Sequence, residues 1–201
     1  MKSAATPEPR AIPFIAAEPT GHFRVTDEAK TFLSSIDGPV AVVAVAGLYR
    51  TGKSFLLNRM LLNRDSGFGV GGSVNACTKG IWIWSQALRG HAADGRPIQI
   101  VVLDTEGLGS LDAEANHDLR VFSLALLLAS TFVYNSLGNI DEGALQSLDL
   151  LVNVSRHIQT KAKPRPGPVE ELAQFFPSFL WVVRDFSLQL ADSNGEPISP
   201  K

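Results

Sequence analysis

The chain has 201 residues, enough for one domain with a sizeable hydrophobic core. A formal net charge of −2 argues against both a nucleic-acid groove and a basic membrane-binding face. Cys77 is the only cysteine, so an intrachain disulfide is excluded and a reducing compartment is the simplest reading. The longest apolar-rich run, 121 to 133, is too short for a membrane span and carries Ser123, Ser130 and Thr131. With no signal peptide or lipidation box in view, the chain reads as soluble and cytoplasmic.

In chain order, residues 1 to about 19 are rich in Ala and Pro and are expected to be a loose lead-in. Thr26 is placed to cap a helix, with Asp27 and Glu28 in its first turn. Ala29, Phe32, Leu33 and Ile36 fall on one face of it. Asp37-Gly38-Pro39 ends that helix. Residues 39 to 46 are apolar and β-branched and read as a buried strand; residues 55 to 62 read as a helix.

Between them lies Gly47-Leu48-Tyr49-Arg50-Thr51-Gly52-Lys53-Ser54, which fits the phosphate-loop pattern G-x-x-x-x-G-K-[ST] at every fixed position. Strand, glycine loop, helix is the context this pattern requires. Gly47 and Gly52 let the backbone curl and approach an anion with no Cβ in the way. Successive N–H groups, from the loop through Phe55 at the helix start, form a cradle of partial positive charge. Lys53 is expected to reach the β- and γ-phosphate oxygens, and Ser54 to offer its hydroxyl to Mg²⁺.

Residues 63 to 77 carry four glycines, Gly67, Gly69, Gly71 and Gly72, and read as a mobile loop where a nucleotide-sensing switch belongs. Thr78 is placed to be the switch threonine, with its hydroxyl on Mg²⁺ and its backbone at the γ-phosphate. Residues 81 to 84 read as a strand, with Trp82 and Trp84 on one face as core. Residues 91 to 96 are a turn, and 97 to 103 are the next strand. Asp104 at its end is expected to hold Mg²⁺ through water, and Gly107 to hydrogen-bond the γ-phosphate through its N–H. Glu106 is either a carboxylate that accepts a proton through water or an exposed loop acid with no role.

Residues 108 to 118 read as a second switch loop, 119 to 128 as a helix and 131 to 135 as a strand. An amphipathic helix is expected over 140 to 159, with Leu145, Leu148, Val152 and Ile158 inward, then a surface loop over 161 to 168. Residues 179 to 183 read as the last strand, followed by Arg184-Asp185. Asp185 either accepts from guanine N1–H and its N2 amine or closes a salt bridge at a strand end. Because the chain stops at Lys201, a fragment or shortened paralogue is expected.

Together the motifs resemble the guanylate-binding proteins, large GTPases of the dynamin superfamily. The residues that carry the resemblance are 47 to 54, 78 to 84, Asp104-Thr105-Glu106-Gly107-Leu108-Gly109, 130 to 136 and Val183-Arg184-Asp185. The resemblance implies that Arg50 is an arginine finger acting in cis when two GTPase domains pair, and that Arg184 and Asp185 match the guanine-recognition motif. It also implies that Glu106 belongs to the water network at the γ-phosphate, and it brings immune defence as a family expectation. One departure is Ala76-Cys77, where the family commonly has Ser-His before the switch threonine. That serine helps position the attacking water, so Ala76 bears on the hydrolysis rate.

The expected fold is α/β, a P-loop NTPase with a three-layer α/β/α arrangement and a mostly parallel sheet. The GTPase domain is expected over 20 to 201, incomplete at its C-terminus. The expected function is Mg²⁺-dependent hydrolysis of GTP with nucleotide-dependent dimerisation, or pairing with related GTPases. The alternative is a hydrolysis-poor GTP-binding module that pairs with full-length relatives.

Overall fold

The computed structural model describes residues 8–18, 20–70, 79–108, 115–139, 142, 145, 177–189, 191–192 and 194–198. Among the described residues eight strands form one mixed sheet. They are β1 (Ala11–Ala17), β2 (Phe23–Val25), β3 (Val40–Ala46), β4 (Ile81–Trp84), β5 (Leu88–His91), β6 (Pro97–Thr105), β7 (Thr131–Leu137) and β8 (Ser178–Arg184). The order is β2-β1-β4-β6-β3-β7-β8, with β5 also on β6.

The four strands β6-β3-β7-β8 are parallel and carry the phosphate loop on the central β3. Strands β1, β2, β4 and β5 join antiparallel on the β6 side. Among the described residues the helices are α1 (Asp27–Ser34), α2 (Lys53–Leu56), which continues as a π-helical turn (Leu57–Leu61), and α3 (Ala115–Leu128). Helices α1 and α3 pack Ala29, Phe32, Val121, Phe122 and Ala125 on one face of the sheet. On the other face Leu57, Phe68 and Trp84 pack over Val45, Val102 and Val133. The result is the three-layer α/β/α arrangement, with parallel strands at its centre.

Thr26 caps α1 as its residue type dictates: its Oγ1 accepts from Ala29 N at 3.3 Å and donates to Pro13 O at 2.5 Å. One hydroxyl therefore ties the helix start to β1. Residues 11 to 17 correct the expected loose lead-in. They form a strand whose Ile12, Phe14 and Ile15 are buried, paired with β4 in a register that shifts between Pro13 and Ile15. Proline inside a strand reads as a breaker unless a bulge or irregularity absorbs the missing donor.

Strand β5, which forms a hairpin with β6, was also not expected, because Arg89, Gly90 and His91 give no apolar run. Helix α3 begins four residues earlier than its apolar pattern suggests. The part of the glycine-rich 63–77 loop that is described is clasped by Asn58. That buried side chain donates to Phe68 O at 2.9 Å and accepts from Phe68 N at 2.8 Å. The expected helix over 140–159, apart from positions 142 and 145, and the loop over 161–168 lie outside the described residues.

Candidate nucleotide-binding site

The site assembles where β3, β6, β7 and β8 end, the edge at which parallel α/β sheets hold ligands. The turn from β3 into α2 requires its glycines. Gly47 has φ 149°, and a Cβ there would lie 2.1 Å from the Asn135 carbonyl oxygen on β7. Gly52 has φ 80°, and a Cβ would fall 1.9 Å from Arg184 Nη1. Between them Arg50 is exposed, with φ 62° and its guanidinium 5.6 Å from the Tyr49 ring centroid.

Two strand ends hold this loop from below. Thr51 O accepts from Asn135 Nδ2 at 2.8 Å and from Arg184 Nη1 at 2.9 Å. The Arg184 guanidinium also lies 5.6 Å from the Phe55 ring centroid. Arg184, expected beside Asp185 at the base, thus faces the phosphate loop here. Asn135 was not singled out in the sequence. In the sequence it lies within the 130 to 136 stretch that carries the resemblance, as a polar residue inside the apolar β7, where a buried amide needs a partner. Asn135→Ala is expected to lower unfolding free energy by about 2 kcal/mol, read from urea midpoints, since one of two donors to a buried carbonyl is lost.

The side chains of the motif converge on the other side. Lys53 is only 6% exposed and donates to Leu48 O at 3.0 Å. Burial pushes its pKa down, opposed by the charges of Asp104 and Glu106. Ser54 Oγ donates to Asp104 Oδ2 at 2.6 Å, and Asp104 is fully buried.

Gly107 lies against the loop: a Cβ would meet Tyr49 Cα at 2.5 Å and Lys53 Nζ at 3.0 Å. Leu108 then locks the two loops together, with Tyr49 N donating to Leu108 O at 2.8 Å and Leu108 N donating to Gly47 O at 3.1 Å. Glu106 is buried rather than an exposed loop acid. Its Oε2 accepts from Gly80 N at 2.9 Å and lies 2.9 Å from His117 Nε2. His117 was not foreseen, because only the fold brings α3 to Glu106. Asp185 is exposed at the end of β8 with φ 54°. Thr78, Gly109 and Ala76-Cys77 lie outside the described residues.

The donor set fits a divalent cation of the Mg²⁺ type. Ser54 and Asp104 present adjacent hard oxygens. Among the described residues no group of three or more His, Cys, Asp or Glu forms a metal cage. An ion that takes one or two protein ligands and completes its shell with phosphates and water needs no such cage.

A buried lysine, a serine on a buried aspartate and a glycine loop between strand and helix define a P-loop nucleotide-binding fold. The family model for "Guanylate-binding protein, N-terminal domain" matches residues 20–201, and the chain belongs to the guanylate-binding protein family. It is 44% identical to Guanylate-binding protein 7 of Homo sapiens over 183 residues, covering 89% of this chain and 28% of that protein. It is 43% identical to Guanylate-binding protein 1 of Chlorocebus aethiops over 186 residues, covering 89% and 30%. Against Guanylate-binding protein 6 of Homo sapiens the identity is 45% over 179 residues, covering 87% and 27%. The chain therefore spans about three-tenths of the length of these curated relatives. Among the described residues no helix is long and apolar enough to cross a membrane.

Proposed function

We propose that the chain is a GTPase domain, residues 20–201, that binds GTP and hydrolyses it to GDP with Mg²⁺. The observation that carries this reading is the meeting of Lys53, Ser54, Asp104 and Gly107 around one glycine loop, with Asp185 exposed at the neighbouring strand end. Membership of a family whose relatives are named guanylate-binding supports it.

In this reading the loop N–H groups and Lys53 hold the β- and γ-phosphates, and Gly107 N–H meets the γ-phosphate. Ser54 and Thr78 would hold Mg²⁺, with Asp104 behind them; the ion supplies charge neutralisation between the phosphates. Water attacks in line. Arg50 swings from beside Tyr49 onto the γ-phosphate when two such domains pair, and Glu106 orders the water network. Asp185 accepts two hydrogen bonds from guanine, which adenine cannot give. A cytoplasmic location accords with the single cysteine.

Isothermal titration with non-hydrolysable GTP and ATP analogues tests the reading. Guanine-selective binding is expected; equal affinity for both, or binding of neither, would overturn it. Asp185→Asn is expected to weaken the GTP analogue by about 100-fold, two hydrogen bonds' worth, and to favour a xanthine analogue, whose C2 carbonyl accepts from the new amide.

One observation favours a second reading, a hydrolysis-poor GTP-binding module. The Glu106 carboxylate is engaged by Gly80 and His117, and Ala76 stands where a water-positioning serine is common in the family. Single-turnover hydrolysis by Ala76→Ser separates the two readings: a large rise in rate supports the second, and an unchanged rate supports the first.

A further inference from the structure

We propose that His117 is the positioning residue of Glu106, a latch that sets the carboxylate through the docking of α3 on the β1–β2 hairpin. The proposal rests on the reading of Glu106 as part of the water network at the γ-phosphate.

Glu106 and Gly80 are tied twice through the Glu106 residue itself. Gly80 N donates to Glu106 Oε2 at 2.9 Å, and Glu106 N donates to Gly80 O at 2.8 Å. Gly80 is a fixed reference. Its φ is 71°, and a Cβ there would lie 2.2 Å from Ile15 O on β1, so the two backbones approach too closely for any side chain at 80. One donor alone leaves a carboxylate free to turn about its terminal torsion, which has only a broad, two-fold preference. His117 Nε2, at 2.9 Å, supplies the second point on Oε2. In the proposed latch His117 donates from Nε2, which requires the ring to carry its proton there. Among the described residues both contacts fall on Oε2.

The imidazole is itself held. Its ring packs on Phe23 of β2 with centroids 5.5 Å apart. One turn further along α3, Arg120 lies 4.5 Å from the same Phe23 ring centroid and donates from Nη1 to Gly21 O at 2.7 Å. The start of α3 is thus clamped to the hairpin by two side chains three residues apart. A shift of α3 by an ångström or two breaks the His117 contact and leaves Gly80 N as the single donor to the carboxylate, which is then free to turn away from it. Orientation of Glu106 is therefore coupled to the seat of α3.

Three variants separate the latch from simple packing. His117→Gln places a donor near the position of Nε2, His117→Asn carries a donor too short to reach, and His117→Ala has none. All three lose the ring contact with Phe23. Three readouts are taken on each: amide hydrogen exchange at Gly80, affinity for a non-hydrolysable GTP analogue, and the single-turnover rate with GTP. His117→Ala and His117→Asn are expected to speed Gly80 exchange and slow turnover by about 10-fold each, the effect of one hydrogen bond to a charged group, with affinity changed less than about 2-fold. His117→Gln is expected to stay close to wild type in all three.

If Gln behaves like Ala, or if Ala leaves Gly80 exchange unchanged, the latch is overturned. The exchange arm needs no turnover. A wild-type chain that binds but does not hydrolyse GTP would overturn the hydrolytic reading alone, and the exchange pattern would still decide the latch.

Discussion

Lys53→Met is expected to lower affinity for a GTP analogue by at least about 100-fold while the domain stays folded, the loss of a charge-assisted hydrogen bond in a partly desolvated site. Lys53 is buried on the phosphate loop, and burial is the largest influence on its pKa, pushing it below the ordinary lysine value. A charge held where water screens it poorly acts strongly on a nearby triphosphate. The fold tolerates the loss because the two carboxylates near Lys53 keep other donors: Ser54 for Asp104, and Gly80 with His117 for Glu106. Titration calorimetry decides it, and an affinity within about 5-fold of wild type would sink the role.

The same variant carries a pH signature. The folded-state pKa of Lys53 is the lower one, so between the two values the unfolded chain binds more protons. Stability then rises with pH as the folded value is passed. The wild-type minus Lys53→Met difference in urea midpoint should move in favour of wild type across that alkaline window.

Gly47→Ala is expected to lower unfolding free energy by about 3 kcal/mol or more and to abolish nucleotide binding, since strain and overpacking add at one residue. The new Cβ would lie 2.1 Å from the Asn135 carbonyl oxygen and 3.1 Å from its carbon. That carbonyl belongs to β7, held between β3 and β8, so it has little room to retreat. The control is Gly38→Ala, which has a positive φ of 91° but nothing within 4 Å of its Cβ. Its expected cost is about 1 kcal/mol, from backbone strain alone. Equal losses for the two variants would show that the close approach to β7 is not what requires glycine at 47.

The sheet's central strands were legible because burial on both faces writes continuous apolar runs, as over 40 to 46 and 100 to 103. The phosphate loop was legible because every group it needs sits within eight consecutive residues. What escaped was convergence across the chain. Asn135 and Arg184 meet at Thr51 from 84 and 133 residues away, and a linear pattern carries no trace of that. His117 looked like an ordinary polar residue before a helix until α3 brought it onto Glu106. Arg184 is grouped with the base in the sequence because it neighbours Asp185, and only the fold brings its guanidinium to Thr51 O and the Phe55 ring. Strand β1 was missed for a local reason, since Ala and Pro lower any strand expectation and its register irregularity shows only in three dimensions.

That strand has a consequence for where this domain is taken to begin. The match to the family model starts at residue 20, after β1 has ended. A protein trimmed there would leave the edge of β4 unpaired and strip Ile12, Phe14 and Ile15 from the core. It would also remove the Ile15 carbonyl that packs against Gly80. Strand β1 thus lies outside the stretch that the family model matches, yet it is part of the folded sheet.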